Sequence, residues 1–159
     1  MQQSEVGEAY EASTSALQAA KGQRLSLRRA IAGLEQALAV PSDDLEGLPD
    51  RIRASLERLQ EVFAVHVEVT ERPDGLYHEI LENAPRLANR VARFRREHVE
   101  IADGIRGAIA SAGAAAGDGE AVQVLRDQTV RLFADLVRHR KRGLDLVYEA
   151  YHVDIGGES

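Results

Sequence analysis

The sequence has no cysteine. Disulfides, thiol nucleophiles and cysteine-ligated zinc or iron–sulfur sites are therefore excluded. Any transition metal must be held by histidine and carboxylate. Tryptophan is also missing, and aromatics make up only 4% of the chain. The 44% hydrophobic content therefore comes mostly from Ala, Leu, Val and Ile. The small and straight-chain residues among these lose little rotamer freedom in a helix, so the composition points to helices. No apolar run approaches the roughly 18 uninterrupted residues of a membrane span, and no membrane partner is expected. Met1-Gln2-Gln3-Ser4-Glu5 lacks the basic region and apolar run of a secretory signal, which makes a cytoplasmic location the expectation. Positive charge is in deficit. A formal net charge of −6 disfavours nucleic acid and anionic membranes as partners. The basic clusters Arg28-Arg29, Arg95-Arg96 and 138–142 read as solvated helix faces. Neither a Ser/His/Asp arrangement nor a glycine-rich phosphate loop of useful specificity is present, so no catalytic residues are assigned.

What remains is helical periodicity. The 159 residues suffice for one domain with a sizeable core. Residues 1–16 are polar and weakly patterned and read as an extension of the first helix; 17–155 read as a four-helix bundle. Leu27, Ile31, Leu34 and Leu38 form the first apolar seam. Val40-Pro41-Ser42-Asp43-Asp44 ends that helix, because proline disfavours helix at the residue before it. The second seam is Ile52, Leu56, Leu59, Phe63, His66 and Thr70. Pro73 predicts a break, and Leu76–Leu81 a short helical continuation. Pro85 suits the first position of the third helix, whose seam is Leu87, Val91, Phe94, His98, Ile101 and Ile105. That helix is expected to fade through Gly104, Gly107 and the glycines from 113 to 117. Asp118 is a candidate N-cap. The fourth seam is Leu125, Thr129, Leu132, Leu136, His139, Gly143, Leu146 and Ala150, with Gly156-Gly157 as the expected stop. No strand-like alternation interrupts the pattern. Four amphipathic helices with short connections imply an all-α, up-down-up-down four-helix bundle.

Each of the last three helices carries one histidine on its seam. In an antiparallel hairpin, residues equidistant from the turn face each other. The midpoint of His66 and His98 is position 82, beside Asn83-Ala84-Pro85. The midpoint of His98 and His139 lies between Asp118 and Gly119. The three imidazoles are thus expected at one level, to within about 5 Å at about 1.5 Å per residue. A single seam histidine is most simply a core residue with a local hydrogen bond. Three in one layer have more polar atoms to satisfy, at about 1–3 kcal/mol for each left unpaired. One shared metal ion satisfies them together. Among the acids, Glu71 and Asp103 follow His66 and His98 by five residues, about 140° past the histidine. Pro73 could bring Glu71 inward, so Glu71 joins His66, His98 and His139 as a candidate metal ligand. Glu68, Glu97 and Glu100 read as solvated, and Asp145 as a weak candidate. Gly143 lies one turn beyond His139, leaving space for a ligand or for a close helix contact. Tyr77 and Tyr148 either line the same end or are plain packing residues with the hydroxyl reaching solvent.

With these residues in place, the chain resembles the hemerythrin-like (HHE cation-binding) family between about Leu27 and Tyr151. The matching segments are His66 with Gly75-Leu76-Tyr77, Glu97-His98 with Ile101, and His139 with Leu146-Val147-Tyr148. The resemblance implies a four-helix bundle with a carboxylate-bridged di-iron centre that binds oxygen or related small molecules, or senses or stores iron. Where the family places an acid or histidine four residues on, this chain has Thr70, Ala102 and Gly143. Where the first helix supplies another histidine, around Gln23 to Leu27, there is none. The expected function is therefore metal binding at a reduced, histidine-rich site, with non-haem iron or zinc and a small diatomic ligand as partners. The alternative is a metal-free bundle serving as a protein-interaction module, its mixed Arg and Glu faces suited to docking or a homodimer. An enzyme using the metal for oxygen or peroxide chemistry has no independent support in the residues.

Overall fold

The apolar seams become the buried faces of helices. The structure, a computed structural model, describes residues 2–39, 41, 45–115 and 117–153, with side chains over 15–39, 41, 45–115 and 117–151. The helices are α1 (Gln2–Leu38), α2 (Leu48–Glu71), α3 (Leu76–Asn83), α4 (Ala88–Ala114) and α5 (Gly119–Tyr148). The expected glycine stop at Gly156-Gly157 lies outside the described residues. Among the described residues there is no strand, and the architecture is an all-α four-helix bundle. Each long helix packs mainly on its neighbours in the chain, and α1 closes the ring against α5. On that closing side, Arg126 of α5 donates from Nη2 to the Leu38 carbonyl at 3.1 Å, capping the end of α1. No helix among the described residues is long and apolar enough to cross a membrane.

The connections follow local chemistry. Pro73 cannot continue α2, which stops at Glu71 with Arg72 extended (φ −60°, ψ 157°). The chain then turns so tightly that a Cβ on Gly75 would lie 2.5 Å from the Val69 carbonyl oxygen. No larger residue fits there, and α3 starts at the next position. Pro85 opens a 3-10 turn (Pro85–Leu87) rather than α4 itself. Gly117 takes a positive φ of 82°, a conformation that costs glycine little. Asp118 then caps α5, accepting from the Glu120 and Ala121 amides at 3.1 and 3.4 Å. Asp118→Ala is expected to cost about 1 kcal/mol. In thermal denaturation that should lower Tm by about 2–4 °C.

One expectation holds only in part. The third helix of the sequence reading, α4, ends at Ala114, within the expected run from Gly113 to Gly117, but it does not fade at Gly104 and Gly107. Glycine propensity is a weak local cost, and it is overridden by burial of Ile105, Ala108 and Ala112 along the same face. Gly104 also serves the packing: a Cβ there would sit 3.3 Å from Leu132 of α5.

The core divides in two. The larger cluster includes Leu34, Leu56, Leu59, Phe63, Ile101, Ile105, Leu125 and Leu136. The smaller contains Tyr77, Ile80, Val91, Phe94 and Leu146. Along α4 and α5, His98 and His139 fall between members of the two clusters. A polar layer therefore interrupts an otherwise apolar interior.

Candidate metal centre

His66 on α2, His98 on α4 and His139 on α5 are all buried, at 8, 1 and 3% exposure. Their ring centroids lie 5.1 Å (66–98), 5.8 Å (66–139) and 4.9 Å (98–139) apart. One nitrogen from each ring lies within 4.8 Å of the other two. Phe63 packs against all three rings at 5.7–6.3 Å. Phe94 packs on His139 at 5.4 Å, and Tyr77 stacks on His98 at 5.7 Å. Three helices thus deliver three imidazoles to one point, and aromatic rings restrict their movement.

Surrounding groups orient two of the three. His139 Nδ1–H donates to Glu97 Oε2 at 2.9 Å, leaving Nε2 as the nitrogen for another partner. Arg142 holds the other Glu97 oxygen at 2.6 Å. At His98, Glu71 Oε1 lies 3.4 Å from Nδ1, a contact too long and poorly directed to count as a hydrogen bond. The Tyr77 hydroxyl is 3.2 Å from His98 Nε2. Burial raises the tyrosine pKa above its usual value, so the hydroxyl keeps its proton and can donate to that nitrogen. A carboxylate behind a histidine nitrogen is the usual outer support of a metal-binding imidazole. His66 has no such support among the described residues, where both its ring nitrogens are buried and without a hydrogen-bond partner.

Electrostatics keep the rings neutral. Burial, followed by the neighbouring His139 and Arg24, lowers the His66 pKa to about 4. Burial and the neighbouring histidines push His98 down to about 2. His139 is lowered by burial, against the opposing pull of Glu97. Neutral imidazole is the form that binds metal. Burial also raises the Glu71 carboxyl, with Arg95 opposing.

The sequence-selected residues therefore divide. The three histidines meet. Glu71 stands outside that trio, against His98 Nδ1, in a supporting rather than a ligating place. Glu97, read from sequence as solvated, is instead 15% exposed and bonded to His139. Its neighbour His98 faces the layer, and the roughly 100° step back along the helix turns Glu97 toward α5. The histidine one residue on was the available signal. Asp103 is exposed and paired with Arg106, and Asp145, Glu68 and Glu100 are exposed. Tyr148 is 61% exposed, being about 200° around the helix from buried Leu146. A Cβ on Gly143 would meet nothing within 4 Å, so this glycine provides space rather than a close helix contact. Thr70, on the seam one turn past His66, commits its hydroxyl to the His66 carbonyl at 2.8 Å.

The donor set fits one ion better than two. Nitrogens bound tetrahedrally to a single ion at about 2.0–2.1 Å lie about 3.4 Å apart, so the rings, whose nitrogens lie within 4.8 Å of one another, would close by up to about 1.4 Å around an ion. A carboxylate-bridged pair of ions would need acids inside the trio, and the described residues place none there. The chain matches no family model, and comparison with curated proteins and with solved structures finds no match either.

Proposed function

We propose that this bundle is a metal-binding protein of hemerythrin-like type, reduced to a single ion of iron or zinc on His66, His98 and His139. The observation that carries this reading is the convergence of three buried imidazoles, with both His66 nitrogens left without a partner. Such a layer is costly in a metal-free core, at about 1–3 kcal/mol for each unpaired group, and a bound ion would take one nitrogen of each ring. Glu97 would fix the His139 ring from behind, and Glu71, 3.4 Å from His98 Nδ1, would lie beside the other. Three imidazoles leave a coordination position open, and an ion there would supply Lewis acidity or a place for a small ligand. Iron and zinc are both acceptable to imidazole. The test is metal content of untagged protein after anaerobic loading with iron or zinc and removal of excess. About one ion per chain, lost in His98→Ala, is expected from the single site. A ratio near zero with both metals would overturn the reading.

The Tyr77–His98 contact favours a second reading, because it occupies one ring nitrogen without any metal. On that reading the layer sets helix register, and the function is protein interaction through the outer faces. Melting temperatures independent of added metal would support it.

A further inference from the structure

Six buried side-chain nitrogens lack hydrogen-bond partners among the described residues, and four of them belong to Arg24, His66 and Arg140. These three residues line one cavity of about 30 Å³, together with Thr70, His139 and Gly143. Arg24 comes from α1, His66 from α2 and Arg140 from α5. The unpartnered atoms are Arg24 Nη1, Arg140 Nε and both ring nitrogens of His66. The Thr70 hydroxyl is already committed to backbone carbonyls at 2.8 and 3.1 Å. Arg24 occupies the stretch of the first helix, Gln23 to Leu27, where the hemerythrin-like resemblance would place another histidine.

Stability does not explain this arrangement. Two half-buried guanidiniums converge with no carboxylate among the described lining residues, and each turns one unpartnered nitrogen away from water, which is costly. Burial and the charge of Arg140 both lower the Arg24 pKa, with no acid opposing them. An anion would reverse each of these costs. Guanidinium presents N–H groups in a planar fork that matches a planar oxyanion. Neutral His66 has one further N–H to offer. The cavity has about twice the space that one water requires, about 10–15 Å³, which suits a group of about three heavy atoms. Gly143 keeps it open, since it carries no side chain to fill it.

We infer that the cavity between α1, α2 and α5 is a binding site for a small planar carboxylate-type anion, held by Arg24, Arg140 and the His66 ring. The site needs no metal, and the inference stands whether or not the histidine layer binds one. A free carboxylate and bicarbonate share the required chemistry and are separated by the choice of probe.

The test uses the full chain stripped of metal by a chelator. Formate, acetate and bicarbonate are titrated calorimetrically, each against sodium chloride at matched ionic strength. Saturable binding of about one anion per chain is expected. In an Arg24→Met/Arg140→Met double variant, affinity should fall by about a hundredfold or more, since two charge-assisted hydrogen-bond donors are lost. Arg58→Met, on an exposed position of α2, should leave binding unchanged. The anion-free double variant should melt at the wild-type temperature or about 2–4 °C above it, because two unpartnered buried nitrogens and the repulsion between two like charges have been removed. Gly143→Leu, which fills the cavity and keeps both arginines, should also abolish binding, and it provides the result if the double variant does not fold. Absence of saturation with all three probes, undiminished binding in both variants, or chloride competing as well as formate would overturn the inference. Metal content measured in parallel keeps its failure distinct from failure of the metal site.

Discussion

His66→Leu is expected to make the metal-free protein more stable, by about 2 kcal/mol, and to abolish stabilisation by metal. Leucine is close to histidine in volume and would lie against Phe63, which already contacts the His66 ring at 5.7 Å. The substitution removes two buried nitrogens that have no partner, each worth about 1–3 kcal/mol of lost hydration. Some of that gain is offset by repacking, since even volume-conserving swaps cost up to about 1.5 kcal/mol. For a chain of this size, 1 kcal/mol moves Tm by about 2–4 °C, so the metal-free variant should melt about 4–8 °C above wild type. Metal present at a hundred times its Kd should stabilise the wild type by about 2.7 kcal/mol. The two proteins should therefore respond in opposite ways: the variant gains stability without metal and gains nothing from it. Differential scanning calorimetry with and without zinc or iron reads both effects. A variant less stable than metal-free wild type would mean that the His66 nitrogens are satisfied in solution, and the main argument for an ion would fail. His139→Leu should behave differently, because the His139 ring already has Glu97 as a partner and its removal relieves no unpaired group at Nδ1.

Acid should weaken the metal-free bundle before its carboxylates begin to titrate. The pKa of His66 falls from 6.5 to about 4, and that of His98 to about 2, with burial the first cause in each. Between the folded and unfolded values, the unfolded chain binds more protons than the native one. Stability therefore rises with pH across that window and is lost as the pH falls from about 6.5. At about 1.4 kcal/mol per pH unit for each group, His66 alone should cost about 3 kcal/mol by pH 4. With His98 included, the loss is on the order of 5 kcal/mol, a large share of a typical domain stability of about 5–15 kcal/mol. Urea denaturation at pH 7, 6, 5 and 4 measures this directly. His66→Leu should flatten the profile, while bound metal should move the loss to lower pH because the ion binds only neutral imidazole. Stability unchanged from pH 7 to 4.5 would show that the layer takes up protons without strain, through water or a rearrangement of the rings.

The level of the histidine layer was legible before any coordinates because hairpin geometry is arithmetic. Turns at Asn83-Ala84-Pro85 and Asp118-Gly119, with a fixed rise per residue, bring His66, His98 and His139 together once each lies on a seam. The helix class was legible for a similar reason: apolar residues at three- and four-residue steps can be buried together only on helices. What surrounds the layer was not legible. Glu97, Glu71 and Arg24 all lie off or beside the seams, and whether such a side chain faces solvent or a neighbour depends on how the adjacent helix is rotated and spaced. A one-chain pattern does not contain that rotation; it is settled by side-chain packing between helices. The same packing carried α4 through Gly104 and Gly107 and turned Tyr148 outward. Periodicity by itself determined which residues enter the core and at what height. Only the association of four helices decided which charged groups stand behind the histidines, and that two arginines with unpaired nitrogens share a cavity beside them.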